Sequence, residues 1–292
     1  MAPSTPPTYH LADGHLKDIM KDPIDPLPTN VAAYFFNQPK GMRIVGANGK
    51  SVSDVNKTVA SNHSQFLMSA QCWLFNSYGP NWLTKNPGIL ALFGPGGIYG
   101  PGKPNPVGIT HIDYDPEGQT SNGTPQVEVD AIGKLDYSYA VKAAALVKAK
   151  GLQFIFGAST GCGLTGKLGG YPNKYSTYLA QKRPALVANI PGVDMLYIQS
   201  QQAIGTSVWS NFITQAVAQA HSVKPTMPVI LGIAMNPHNP PTKVTTAMLI
   251  AAYDDAIKAG AAGIYHNIEL GVNAKQPASV YTEFFKQLYA RP

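Results

Sequence analysis

Asp113, Asp115 and Glu117 stand at alternate positions in Asp113-Tyr114-Asp115-Pro116-Glu117, directly after the run Gly108-Ile109-Thr110-His111-Ile112. Side chains of a β-strand alternate between faces, so residues two apart share a side. With 107–114 read as a strand, three carboxylates project toward one place at its end. Like charges crowded together repel, and one or more pKa values are expected to rise. One carboxyl then stays protonated as an acid while a neighbour stays ionised, the division of labour that acid–base chemistry uses. The alternative is a loop of solvated acids, with Pro116 and Gly118 marking the turn. The chain holds only 16 acidic residues in 292, and three within five positions favour the chemical reading.

The elements that must position these acids follow a rhythm. After the acidic strand come a polar loop, a helix at about 137–150 with Val141, Ala144, Ala145 and Val147 on its apolar side, and a buried strand at 152–156. A small-residue loop (158–170), a helix (175–186), a strand (193–199), a helix (208–221), a strand (228–233), a helix (245–259), a strand (263–267) and a closing helix (280–289) complete the series. Strands alternating with helices imply right-handed crossovers and a parallel sheet. The fold expected is α/β, a (β/α)8 TIM-like barrel, with an open doubly wound sheet as the alternative. The first half is irregular: 41–46 and 88–93 read as strands, 65–75 as strand or helix, and 97–106 leaves no room for a helix. Residues 1–30 read as a Pro-rich tail and 31–292 as a single catalytic domain.

On a barrel, His111 shares the face of Asp113, and Tyr265, His266 and Asn267 end the last strand, so all converge on the C-terminal face where barrel active sites form. An imidazole there could act as a base or orient substrate; a structural histidine is the alternative. The acids are also hard oxygen ligands suited to Mg²⁺ or Ca²⁺, but no second acidic cluster supplies ligands from a separate strand. No metal and no cofactor are expected. Ser159-Thr160-Gly161-Cys162-Gly163 is neither a nucleophile elbow nor a phosphate loop.

Charged residues make up 13 %, about half the usual share near 25 %. Such a surface suits an extracellular protein with a neutral, hydroxylated ligand. The formal charge of +6 is scattered without a Lys/Arg cluster, which gives no support to nucleic-acid binding. No apolar stretch approaches a membrane span. Ala2-Pro3-Ser4-Thr5-Pro6-Pro7 reads as the start of a mature secreted chain behind an added Met, and secretion is the expectation. Cys72 and Cys162 allow at most one disulfide, or two buried thiols.

From 88 to the C-terminus the order of elements resembles the family 18 glycoside hydrolases, especially compact plant- and fungal-type chitinases. Asp113-Tyr114-Asp115-Pro116-Glu117 has the spacing of the Asp-x-Asp-x-Glu motif that ends their fourth barrel strand. Phe93-Gly94-Pro95-Gly96-Gly97 is a loose counterpart of the Gly-rich turn after their third strand, and Asp194 to Gln199 has the form of their sixth. The resemblance implies that Glu117 protonates the leaving oxygen. It implies that Asp115 holds an N-acetyl group, which attacks the anomeric carbon, and that Asp113 tunes Asp115. Gln199, Gln201, Tyr265, His266, Asn267 and His111 fall in the implied substrate site. The chain departs from the family where Gln201 replaces a Tyr, Tyr265-His266-Asn267 replaces a Trp floor, and Thr110 replaces an Asp.

These observations point to a secreted, monomeric glycoside hydrolase acting on a neutral or N-acetylated polysaccharide. Two rivals remain: a silent carbohydrate-binding barrel (a lectin or inhibitor), which the departures favour, and a barrel lyase or cyclase with a closed apolar pocket.

Overall fold

The computed structural model describes residues 9–12, 31–36, 66–70, 88–97, 99–105, 109–118, 124–234 and 244–267, with Val280, Glu283, Phe284 and Gln287. Eight parallel strands close into a barrel in sequence order. They are β1 Tyr9–Ala12, β2 Val31–Phe36, β3 Phe66–Ala70, β4 Ile109–Tyr114, β5 Gln153–Phe156, β6 Met195–Ile198, β7 Val229–Ala234 and β8 Gly263–Asn267. Closure is made by β1, which pairs with β2 on one side and with β8 on the other. The expected (β/α)8 TIM-like barrel is the fold.

Closure corrects the reading of 1–30 as a tail, since Tyr9–Ala12 is a barrel stave. Four residues are too few to show alternation, and what makes them a strand is pairing with partners far along the chain. A second correction concerns 88–93, read as a strand. Ile89–Phe93 is a helix, α1, which buries Ile89, Leu92 and Phe93. These lie at the i, i+3, i+4 spacing of a helix face, but an apolar run of five cannot be told from a strand by periodicity. The third strand is therefore Phe66–Ala70, inside the segment left open between strand and helix, and the Gly-rich turn at 94–97 follows α1 instead. The expected strand at 41–46 and residue Cys72 lie outside the described residues.

Among the described residues seven further helices follow: α2 Gln126–Gly133, α3 Ser138–Lys148, α4 Gly166–Gly169, α5 Asn173–Ala180, α6 Arg183–Ala188, α7 Trp209–Val223 and α8 Thr246–Lys258. The expected helix at 175–186 is thus two short ones, α5 and α6, separated by Lys182 in the left-handed region at φ 52°. α7 buries Phe212, Ile213, Ala216, Val217 and Ala220 at helical spacing. On α3 the buried face is Ala140, Ala143, Ala144 and Val147, and Val141 is 40 % exposed, so the apolar stripe is set one residue earlier than expected.

Strand alternation divides the core. Ile112, Tyr114, Phe154, Phe156, Leu196, Ile198, Leu231 and Ile264 face the helices in one large cluster. Ile155, Met195, Tyr197, Ile230 and Tyr265 form a separate cluster inside the barrel, where the Tyr197 and Tyr265 rings stack 4.2 Å apart. That inner plug leaves the C-terminal ends of the strands as the place for a site.

Candidate functional site

On β4 the outward residues Ile112 and Tyr114 pack against the helices, so His111, Asp113 and, just beyond the strand, Asp115 turn to the barrel axis. Asp113 is 1 % exposed and fits because β5 is followed by a glycine: a Cβ at Gly157 would stand 2.6 Å from Asp113 Oδ1. Asp115 is buried above it, and Glu117 keeps partial exposure at the rim.

The loop that carries Glu117 is held from three sides. The Glu117 amide donates to Thr124 Oγ1 at 2.7 Å. The Ser159 amide donates to the Pro116 carbonyl at 3.1 Å. The Cys162 thiol lies 3.6 Å from the Glu117 carbonyl, and Gly118 sits so close to Gly161 that a Cβ there would be 3.2 Å from the Gly161 carbonyl. Arg183, 1 % exposed at the start of α6, donates from Nη1 to the Cys162 carbonyl at 2.6 Å and from Nε to Gln181 Oε1 at 2.7 Å. Below, the Tyr114 hydroxyl donates to Glu128 Oε2 at 2.6 Å, tying β4 to α2 through a fully buried carboxylate. Burial pushes the Cys162 thiol pKa far up, so this free cysteine is a packed thiol without nucleophilic character at neutral pH.

Gln199, directly after β6, joins the two acids. Its Nε2 donates to Asp115 Oδ1 at 2.7 Å, approaches the Gly157 carbonyl at 3.2 Å, and reaches Glu117 Oε1 at a long 3.4 Å. The Thr160 hydroxyl holds the Gln199 carbonyl at 3.2 Å, and the Ser200 hydroxyl donates to the Gly232 carbonyl at 2.7 Å. One amide nitrogen therefore fixes both acids at the end of the barrel, with a buried carboxylate behind a more exposed one.

Gln201 opens the 3₁₀ turn Gln201–Ala203. Its buried Oε1 takes no hydrogen bond from the described residues. It packs over Gly232, where a Cβ would meet it at 2.6 Å and the Tyr197 hydroxyl at 3.1 Å. The acceptor and the hydroxyl thus border the same gap over Gly232.

The remaining expected site residues lie on β4 and β8. His111 shares the face of Asp113, as expected, but lies deeper: it is 3 % exposed and hydrogen-bonded to Gln153, and burial lowers its pKa. Two residues along a strand is a shift of about 7 Å, which sets His111 below Asp113 on that face. Tyr265 stacks on Tyr197 in the inner cluster, with 3 % exposure. His266 and Asn267 end β8, paired in register with Ile233 and Ala234. Asp194, at the opposite end of β6 from Gln199, accepts from Lys148 Nζ at 2.8 Å and from the Phe154 amide at 2.8 Å, a latch far from the acids.

Sequence reasoning missed Glu128, Arg183 and Lys174. Lys174 stands in the first turn of α5, 8 % exposed, and its Nζ donates to Gln202 Oε1. Burial lowers its pKa to about 8, against the pull of the negative charge of Glu117. No local pattern marks these positions, because only the fold brings their partners together, 28 residues apart for Lys174 and Gln202. Among the described residues no three His, Cys, Asp or Glu side chains converge as metal ligands, and no helix is long and apolar enough to cross a membrane.

No protein-family model matches the chain, and no curated protein is similar to it in sequence. Among solved structures, a catalytic-site mutant of active domain 2 of the Pyrococcus furiosus chitinase is similar, with a TM-score of 0.51 and 11 % identity over 99 % of this chain and 98 % of that one. The catalytic domain of the hyperthermophilic chitinase from the same organism gives 0.50 at 12 % identity over 99 % and 98 %. The spore cortex-lytic enzyme SleL of Bacillus megaterium QM B1551 gives 0.50 at 10 % identity over 91 % and 72 %. Likeness at this identity is one of fold: this chain shares an α/β barrel with structures that include glycoside hydrolases.

Proposed function

We propose that this protein is a glycoside hydrolase acting on N-acetylated, β-linked oligo- or polysaccharides, with Glu117 as the acid that protonates the leaving oxygen. The observation that carries the reading is the Gln199 amide, within hydrogen-bonding reach of both Asp115 Oδ1 (2.7 Å) and Glu117 Oε1 (3.4 Å). Two carboxyl oxygens that share one nitrogen lie no more than about 6 Å apart, too close for the water that inverting enzymes place between carboxyls about 6.5–9.5 Å apart. Asp115 is 4 % exposed, so it is poorly placed to attack an anomeric carbon itself. It suits orientation of a substrate acetamide, whose oxygen then attacks as Glu117 gives up its proton. The ionised Glu117 next takes a proton from the incoming water, and the ring opens with net retention.

The site suits a carbohydrate outside the cell. A low charge content and a surface rich in amide and hydroxyl side chains fit a secreted monomer with a glycan partner. One observation favours the rival reading of a silent carbohydrate-binding barrel. Gln201 stands where the resembling family has a Tyr, and its buried Oε1 takes no hydrogen bond from the described residues.

Dependence on the acetamide separates the mechanisms. Fluorogenic chito-oligosaccharides should be cut with retention at the anomeric centre, read by NMR. Their de-N-acetylated counterparts should be cut at least a hundredfold more slowly. Equal rates on both sets would rule out acetamide assistance, and binding without turnover would favour the lectin.

A further inference from the structure

Two loops and one helix meet near Glu117 and bring a cation to it. Lys174, in the first turn of α5, is buried; its Nζ donates to Gln202 Oε1 and lies 5.0 Å from the centre of the Tyr175 ring. Gln202 belongs to the 3₁₀ turn Gln201–Ala203, which continues from Gln199, whose Nε2 reaches Glu117 Oε1 at 3.4 Å. From the other side, the Lys174 Cδ lies 3.9 Å from where a Cβ on Gly161 would stand. Gly161 carries the carbonyl on which Gly118, next to Glu117, packs. The turn after β6 and the loop after β5 thus hold Lys174 and Glu117 alike.

Six charged side chains gather at this point. Asp113, Asp115 and Glu117 come from β4 and the loop beyond it, Glu128 from α2, Arg183 from α6 and Lys174 from α5. Arg183 donates to the Cys162 carbonyl and to Gln181, and the charges of Glu117, Arg183, Asp115 and Glu128 all act on the buried Cys162 thiol. At Lys174 burial lowers the ammonium pKa to about 8, and the negative charge of Glu117 works against that fall. Buried charges are weakly screened and their coupling is mutual: the ammonium that Glu117 favours in turn favours the Glu117 carboxylate.

We propose that Lys174 is a positioning residue for the Glu117 acid, whose ammonium stabilises the carboxylate that Glu117 becomes as its proton passes to the leaving oxygen. The inference rests on the glycoside-hydrolase reading and adds a cation to its machinery. In the first step the Glu117 O–H bond and the glycosidic bond break together, and the leaving sugar takes the proton. The negative charge left on Glu117 develops in the field of an ammonium already in place, which is how preorganised charges lower a barrier. Water returns the proton to Glu117 in the second step, and Lys174 keeps its own throughout.

The chain has four glutamates, Glu117, Glu128, Glu269 and Glu283, so glutamate labelled with 13C at the side-chain carboxyl gives a small set of NMR signals. The signal missing in Glu117→Gln identifies the acid, and its titration midpoint is followed in wild type, K174Q, K174M and K174R. Removing the cation should raise that midpoint by at least about 0.5 pH in K174Q and K174M, whereas K174R should keep it. The alkaline limb of kcat/KM on chitotetraose, which reports the acid, should move up in the same two variants. Thermal melts show which variants are folded. If neither neutral variant folds, Glu117→Gln gives the reciprocal reading: the Lys174 ammonium, followed by 13Cε-lysine NMR, should titrate lower than in wild type. A Glu117 midpoint unmoved in folded K174Q, one that K174R raises as much as K174Q, or an ammonium unmoved in Glu117→Gln overturns the proposal. A midpoint that moves as expected in a wild type unable to cut chitotetraose overturns instead the glycoside-hydrolase reading, and with it the part of Lys174 in catalysis.

Discussion

Gly157→Ala should damage the acid cluster by steric contact alone. A Cβ at this position would lie 2.6 Å from Asp113 Oδ1, 2.7 Å from Tyr197 Cδ1 and 3.0 Å from Asp113 Oδ2. Both neighbours belong to the packed interior, Asp113 at 1 % and Tyr197 at 2 % exposure, and neither can swing into solvent. Forcing one methyl into such a site costs about 1–3 kcal/mol, and contact from two sides places this case in the upper part, about 2–3 kcal/mol. For a chain of this size each kcal/mol moves the melting temperature by about 2 °C, so Tm should fall by about 4–6 °C. Gly157 is not in the left-handed region, so backbone strain does not enter. The control is Gly161→Ala, four residues on, where the nearest atom is Gly169 O at 3.4 Å; it should stay within about 0.5 kcal/mol of wild type. Thermal melts followed by near-UV circular dichroism read both. A Gly157→Ala variant that melts within 1 °C of wild type, or a Gly161→Ala variant equally damaged, would refute the packing of Asp113 against β5.

Three further outcomes follow from the same geometry. Gln199→Leu keeps the bulk but strips Asp115 of its 2.7 Å donor; stability should drop by about 1.5–3 kcal/mol in urea unfolding, and an unchanged midpoint would contradict the bridge. Tyr114→Phe removes the 2.6 Å hydrogen bond to buried Glu128 and should cost a similar 1.5–3 kcal/mol, with loss below 0.5 kcal/mol as the contrary result. Burial holds the His111 pKa below its ordinary 6.5. As pH falls below that value the unfolded chain takes up a proton that the folded chain refuses, so stability declines until the folded-state pKa is passed. Between pH 7.5 and 5.5 the Tm of wild type should fall more than that of His111→Gln; parallel falls would assign the loss to other groups.

The parts of this molecule legible in the sequence are those written in short-range patterns. Alternation along β4 places Asp113 and Asp115 on one face, and the loop after β6 delivers Gln199 to them. What alternation does not carry is depth. His111 shares that face yet lies two residues further down β4, buried and hydrogen-bonded to Gln153, a depth that no local spacing announces. Short elements were hidden for another reason: β1 owes its strand state to β2 and β8, and α1 shows its helical face only once its neighbours are placed. Lys174, Glu128 and Arg183 are buried charges with at least one partner distant in sequence, and a solvated surface lysine and a buried one are spelled alike.

The central claim is that Glu117 gives a proton to a leaving sugar oxygen, and Glu117→Gln addresses it most directly, because the swap keeps shape and removes the acid. Wild type and variant would be compared on a fluorogenic chitotrioside, with thermal melts showing both folded. Wild type should turn over and the variant should lose at least about a hundredfold in kcat, with binding retained. Turnover that survives the substitution within a few-fold would contradict it and move the chemistry away from the Asp115–Gln199–Glu117 cluster.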